Sequence, residues 1–185
     1  MITKPILLVE DDENDVFFFQ RAMSKAGMTN PLQVAGDGQE AIDYLRGAGK
    51  FADRSRFPLP ELILLDLKLP FVMGLDVLRW IREQSELVPI VIILSSSREE
   101  EDIAAAYKLG ANAYLVKPVE VNKLGEMAKA INDFWLAQNT PSRLARRRRR
   151  WESAADRPAE GLGARACLAT TNFLAGVPSE IRSDL

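Results

Sequence analysis

Five short apolar runs, each followed by a stretch of helical period, fill the chain up to about Ser142. They are ILLV (6–9) with a predicted helix over 14–26, LQV (32–34) with one over 38–46, and LILLD (62–66) with one over 74–84. IVIIL (90–94) with a helix over 99–109 and AYLV (113–116) with one over 119–138 complete the series. A run such as IVIIL has no polar alternate, so its strand must be buried on both faces, and strands joined through helices run parallel. The alternation predicts an α/β domain built on a doubly wound, five-stranded parallel sheet covered on both sides. Only one connection is long: GAGKFADRSRFPLP (47–60), whose Gly, Pro and charge content reads as an exposed loop.

The chain has no histidine, which removes His-dependent acid–base catalysis, Ser-His-Asp and Cys-His nucleophile systems, and nearly all transition-metal sites. Its single cysteine, Cys167, can form neither an internal disulfide nor a zinc cluster, so a reducing compartment is the default. The start, MITKPILLVEDDEND, turns acidic after four apolar residues, too early for a signal peptide, and VPIVIIL is far short of the ~20 residues that span a bilayer. A cytoplasmic protein with no membrane contact is the expectation.

Past Ser142 the pattern stops. Residues 1–142 hold 15 Lys+Arg against 21 Asp+Glu, whereas 143–185 hold 9 against 5 and include five consecutive arginines, 146–150. The sequence therefore divides into a domain over 1–142 and an arginine-rich tail over 143–185. A disordered, solvated extension, a contact for nucleic acid or another acidic surface, and an artefactual end all fit that tail.

In an open parallel sheet, ligands bind beyond the carboxyl ends of the strands. The residues leaving those ends are Glu10 and Asp11 after the first run, Asp66 at the third, Ser95 after the fourth and Lys117 after the fifth. They form one cluster if those strands are neighbours. Converging carboxylates need cationic compensation, and a hard divalent ion with oxygen ligands, Mg2+, suits a shallow acidic nest. Lys117 adds a point charge directed at an anion. Each part also has a plain structural reading: Asp12 or Asn14 would cap the first helix, Ser95 the fourth, and Lys117 beside Pro118 could be a turn residue.

LLVEDD, LILLDLKLP, Gly74, IVIILSS and AYLVKP, spread over about residues 4–138, together resemble a response-regulator receiver domain of bacterial two-component signalling. The resemblance implies a flavodoxin-like fold with strand order 2-1-3-4-5. It implies that Asp66 takes a phosphoryl group from a sensor histidine kinase. Glu10, Asp11, Asp66 and the Lys68 backbone carbonyl would hold Mg2+. Ser95 would contact the phosphoryl group, Lys117 would pair with it, a cis Pro118 would follow, and Tyr114 would be the aromatic switch that turns inward. Within the family, the long loop, VEDDEND and DFW are similar to single-domain regulators partnered with bacterial phytochrome kinases. The implied protein is a signalling phosphoacceptor rather than an enzyme, pairing as a homodimer through the fourth helix, fifth strand and fifth helix.

Other classes fit less well. A flavin-mononucleotide carrier needs an amide- and hydroxyl-lined first loop, which EDDEND would repel. A dehalogenase-like phosphatase needs a second acid where Lys68 stands, and no helix-turn-helix pair follows the domain, so nucleic acid is not the expected partner. The alternative kept is a receiver whose basic tail binds nucleic acid or another acidic partner.

Helical spacing adds two expectations. Val16, Phe19, Met23 and Ala26 share the core face of the first helix, leaving Phe17 outward; this fits a stray exposed aromatic, and the receiver resemblance implies an anchor for the kinase, with Phe18 beside it. In the last helix Leu124, Met127, Ile131 and Phe134 form the core stripe; spacing leaves Trp135 as either a core flank or an interface anchor, and the resemblance to phytochrome-associated regulators implies the interface.

Overall fold

In the computed structural model, residues 4–84 and 89–139 are described; the tail beyond 142 lies outside them, as does every reading of its arginines. Five strands alternate with five helices: β1 Ile6–Val9, α1 Glu13–Lys25, β2 Leu32–Ala35, α2 Gly38–Arg46, β3 Leu62–Leu65, α3 Gly74–Glu83, β4 Ile90–Ser95, α4 Glu100–Lys108, β5 Ala113–Val116 and α5 Val121–Ile131. The strands form one sheet in the order β2-β1-β3-β4-β5, and every pair is parallel. This is the flavodoxin-like receiver arrangement that the resemblance implied. Among the described residues, no helix is long and apolar enough to cross a membrane.

Period-2 alternation along strands divides the apolar residues between two cores. Leu7, Val9, Ile63, Leu65, Val91 and Ile93 face one way and meet Ala41, Tyr44 and Leu45 of α2, Val77, Leu78 and Ile81 of α3, and Ala106 of α4. Ile6, Leu8, Leu62, Leu64, Ile92 and Leu94 face the other way and meet Phe19, Ala22 and Met23 of α1, with Ala128 and Ile131 of α5. The three inner strands are buried on both faces because each side carries helices, while edge strands β2 and β5 are only partly buried.

Helix ends follow their sequence signals. Asp12 caps α1 by accepting from the Asn14 N–H at 2.8 Å, and Asp37 caps α2 by accepting from the Glu40 N–H at 2.7 Å. Gly47 ends α2 in the left-handed conformation, φ 71°, where a side chain would be strained. The α1 stripe is as expected: Phe19 and Met23 are buried, Val16 and Ala26 pack beside them, and Phe17 stays 52% exposed.

Three expectations need correction. The 47–60 segment is not simply an exposed loop. Phe51 is buried, Phe57 and Leu59 pack on the core, and Tyr44, Phe51 and Phe57 form tilted and edge-on ring contacts. Arg54 holds it down by donating to the carbonyls of Tyr44 and Leu45, each at 2.7 Å, and the Tyr44 hydroxyl donates to the Pro58 carbonyl at 2.7 Å. Aromatic burial and saturated carbonyls outweigh the loop-like composition.

The second correction concerns the last helix. From Asn132 to Gln138 the chain widens into a π-helical turn, with the Asn139 N–H reaching the Phe134 carbonyl at 2.7 Å. A wider turn advances each residue by less than the α-helical ~100°. Phe134 therefore falls off the core stripe and is 54% exposed, while Trp135 and Leu136 pack against the core. Phe134, expected in the core stripe, is thus the exposed one, and Trp135, expected at an interface, packs on the core. Thirdly, no cis peptide bond occurs among the described residues, so the Lys117–Pro118 bond is trans. Trans is the lower-energy isomer before proline by about 0.5–1 kcal/mol, and the Lys117 side chain makes all its contacts with that isomer in place.

Candidate phosphoacceptor site

The residues at the strand exits are fixed by continuation of the sheet ladder. Glu10 N–H donates to the Ala35 carbonyl at 3.0 Å, Asp66 N–H to Val9 at 3.1 Å, and Lys117 N–H to Ser95 at 2.8 Å. Each polar side chain is thus carried on backbone that is already paired. Glu10, Asp66 and Ser95 are buried, and among the described residues every buried side-chain polar atom has a partner.

Asp66 is the centre. Its Oδ1 accepts from Ser95 Oγ at 2.7 Å and from the Lys68 N–H at 3.2 Å, and its Oδ2 accepts from Lys117 Nζ at 2.7 Å. Lys117 also donates to Glu10 Oε2 and to Asp15 Oδ2, the latter at 2.9 Å. Of the five residues expected in one cluster, Glu10, Asp66, Ser95 and Lys117 are assembled in one place, while the Asp11 side chain is exposed. The loop after β3 is closed tightly around it: Gly74 N–H donates to the Leu67 carbonyl at 2.9 Å, and a Cβ on Gly74 would lie 2.0 Å from the Asp66 carbonyl oxygen. Only glycine fits there.

Burial pushes the Glu10 carboxyl up from an ordinary 4.5 to about 7; hydrogen bonding to Lys117 opposes the rise without cancelling it. For Lys117 burial disfavours the charge, but hydrogen bonds to Asp66, Glu10 and Asp15 outweigh it and hold the ammonium protonated. One cation is shared among three carboxylates, which leaves the nest short of positive charge.

The proposed ligand set for a divalent ion is only partly drawn together. Glu10 and Asp66 meet at the Lys117 ammonium, the Asp11 side chain is exposed, and no group of three or more acids among the described residues is arranged around a common metal point. The donor chemistry nevertheless fits Mg2+, since Glu10, Asp11, Asp66 and the Lys68 carbonyl offer hard oxygens alone.

Tyr114 lies partly buried on β5, with its hydroxyl donating to the Ser97 carbonyl at 3.2 Å. Sequence reasoning missed four residues, Asp15, Ser97, Asp102 and Tyr107. Asp15 joins Lys117; its position in the first turn of a helix that starts beside the site was the available signal. Ser97 Oγ donates to Asp102 Oδ2 of α4 at 2.5 Å, and the Tyr107 hydroxyl accepts from the Tyr114 N–H at 3.2 Å. Those contacts tie the β4 exit and β5 to α4, and nothing in local periodicity marks them.

Comparison with known proteins gives a consistent result. The family described as response regulator receiver domain matches residues 6–129. The response regulator Rcp1 of Synechocystis sp. is 37% identical over 134 residues, spanning 72% of this chain and 89% of Rcp1. A Mn2+-bound form of Rcp1 superposes with a TM-score of 0.67 at 36% identity, covering 75% of this chain and 99% of that one. The phosphorylated cyanobacterial phytochrome response regulator RcpA has a TM-score of 0.70 at 37% identity, covering 76% of this chain and 99% of RcpA. A regulator in red light signalling of R. palustris, RPA3017, has a TM-score of 0.70 at 33% identity, covering 75% and 99%.

Proposed function

The chain belongs to the response-regulator receiver family, and from that premise we propose that it is a cytoplasmic phosphoacceptor which takes a phosphoryl group from a sensor histidine kinase onto Asp66. The observation that carries the reading is the setting of Asp66: a buried carboxylate at a strand end, with Lys117 Nζ and Ser95 Oγ each 2.7 Å away. These 185 residues contain no histidine, so none of them is the phosphohistidine donor. Likeness to RcpA and RPA3017, regulators described in phytochrome and red-light signalling, supports a bacterial phytochrome kinase as that partner.

In the transfer an Asp66 oxygen attacks phosphorus, the P–O bond forms, and the P–N bond breaks. The imidazole nitrogen leaves with the bond pair and takes up a proton, and Asp66 becomes an acyl phosphate. Glu10, Asp11, Asp66 and the Lys68 carbonyl would hold Mg2+, which when bound would supply charge to neutralise the phosphoryl oxygens. Lys117 holds its ammonium against the same oxygens, and the Ser95 hydroxyl donates to them. Ser95 and Ser97 leave β4 together, and Ser97 is bonded to Asp102 and Tyr114, so a shift of Ser95 is passed to α4 and β5. A partner reading that surface reads the phosphorylation state; a homodimer through α4, β5 and α5 is the arrangement we favour, with exposed Phe134 as its aromatic contact. Phe17 and Phe18, exposed and packed edge to face on α1, are proposed contacts for the kinase.

Incubation with acetyl phosphate and Mg2+ followed by peptide mass spectrometry tests the core of this reading. One phosphoryl adduct on Asp66 is expected, absent from Asp66→Asn and absent without the metal. An adduct that persists unchanged in Asp66→Asn overturns it.

A further inference from the structure

An ammonium has three N–H donors, and those of Lys117 are fully used: Glu10 Oε2, Asp66 Oδ2 and Asp15 Oδ2 each accept one. The three acceptors are not equivalent. Glu10 and Asp66 stand on ladder-paired backbone at strand ends, with side chains only 3% and 7% exposed, whereas the Asp15 side chain, in the first turn of α1, is 42% exposed. A solvent-screened arm is the weak one of the three.

We infer that Asp15 is a positioning residue that competes with the phosphoryl group for Lys117 and thereby weakens the hold on that group. The inference rests on Asp66 being the phosphoacceptor. A phosphoryl group on Asp66 brings oxygens that call for more than the single donor Lys117 now gives that residue. Glu10 is buried and cannot exchange its bond for water, so the donor most readily freed is the one on Asp15. While Asp15 keeps it, Lys117 is drawn toward α1, and a carboxylate stays beside an incoming dianion. Donor sharing and charge act in the same direction. The ordinary role of an acid in a first helical turn, complementing the helix dipole, has no such consequence for the site.

The test measures beryllofluoride binding to the full chain at saturating Mg2+ by fluorine NMR, for wild type, Asp15→Asn, Asp15→Glu and Glu13→Gln. It repeats wild type and Asp15→Asn in a Lys117→Ala background. Asp15→Asn is expected to bind about two- to five-fold more tightly, the range of one partly exposed ion pair, and Asp15→Glu to restore the wild-type affinity. Glu13→Gln removes a charge from the same turn without a bond to Lys117 and should change affinity less. The gain should vanish when Lys117 is absent, since a cycle isolates the coupled term. Unchanged affinity in Asp15→Asn, an equal gain in Glu13→Gln, or a gain that survives Lys117→Ala overturns the inference while leaving the phosphoacceptor reading intact. A wild type that neither binds beryllofluoride nor is modified by acetyl phosphate removes that reading and the inference with it.

Discussion

Ser95 Oγ donates a 2.7 Å hydrogen bond to Asp66 Oδ1, tying the end of β4 to the end of β3 at the point where a phosphoryl group would be added. The bond is buried and is made to a carboxylate, so it is among the stronger kinds. Ser95→Ala leaves Asp66 Oδ1 with only the Lys68 N–H at 3.2 Å. We expect a loss of about 1–3 kcal/mol of stability, read by urea unfolding. Acetyl phosphate should still modify Asp66 in this variant, but amide NMR shifts of Tyr114 and α4 on phosphorylation should be lost. Full retention of those shifts would show that Ser95 is not the relay.

The Glu10 carboxyl has the opposite pH signature to a paired surface acid. Its folded value of about 7 lies above the ordinary 4.5, so between these values the folded state binds more protons than the unfolded chain. Stability contributed by this group is present below pH 4.5 and is lost as pH rises toward 7. In metal-free buffer, wild type should therefore lose stability relative to Glu10→Gln across that window and run parallel to it above. Parallel curves throughout would contradict the raised value.

Phe71 holds φ 63° with its side chain 90% exposed, at a three-residue turn closed by the Val72 N–H on the Pro70 carbonyl at 2.8 Å. A non-glycine residue is strained there, and its exposed ring offers little burial in return. Phe71→Gly should raise stability by about 0.5–1 kcal/mol. Thermal unfolding decides the matter; a lower midpoint would mean that the ring makes contacts that outweigh the strain.

Trp135 and Phe134 sit side by side with opposite surroundings, one packed on the core and the other 54% exposed. Trp135→Ala should cost about 2–3 kcal/mol, somewhat less than a fully buried aromatic, while Phe134→Ala should leave the monomer's stability within about 0.5 kcal/mol. In sedimentation with and without beryllofluoride, Phe134→Ala should weaken any dimer. A dimer indifferent to Phe134 would place the interface elsewhere.

Much of this protein was legible in its sequence because much of it is local. Unalternated runs such as LILL and IVIIL mark strands buried on both faces, and helical spacing placed Phe19 and Met23 inward and Phe17 outward. In a parallel sheet the strand exits all lie along one edge, so the identities of Glu10, Asp66, Ser95 and Lys117 at those exits pointed to a shared site once the family resemblance supplied the strand order. What tertiary structure decided lies between elements or in departures from regular geometry. The docking of α1 brought Asp15 to within 2.9 Å of Lys117, the packing of α4 let Asp102 accept from Ser97, and a widened turn exchanged Phe134 for Trp135. Periodicity reports which face of an element a residue occupies. It carries no information on the helix-to-sheet placement, side-chain rotamers and local winding that bring two polar groups from different elements within hydrogen-bond distance.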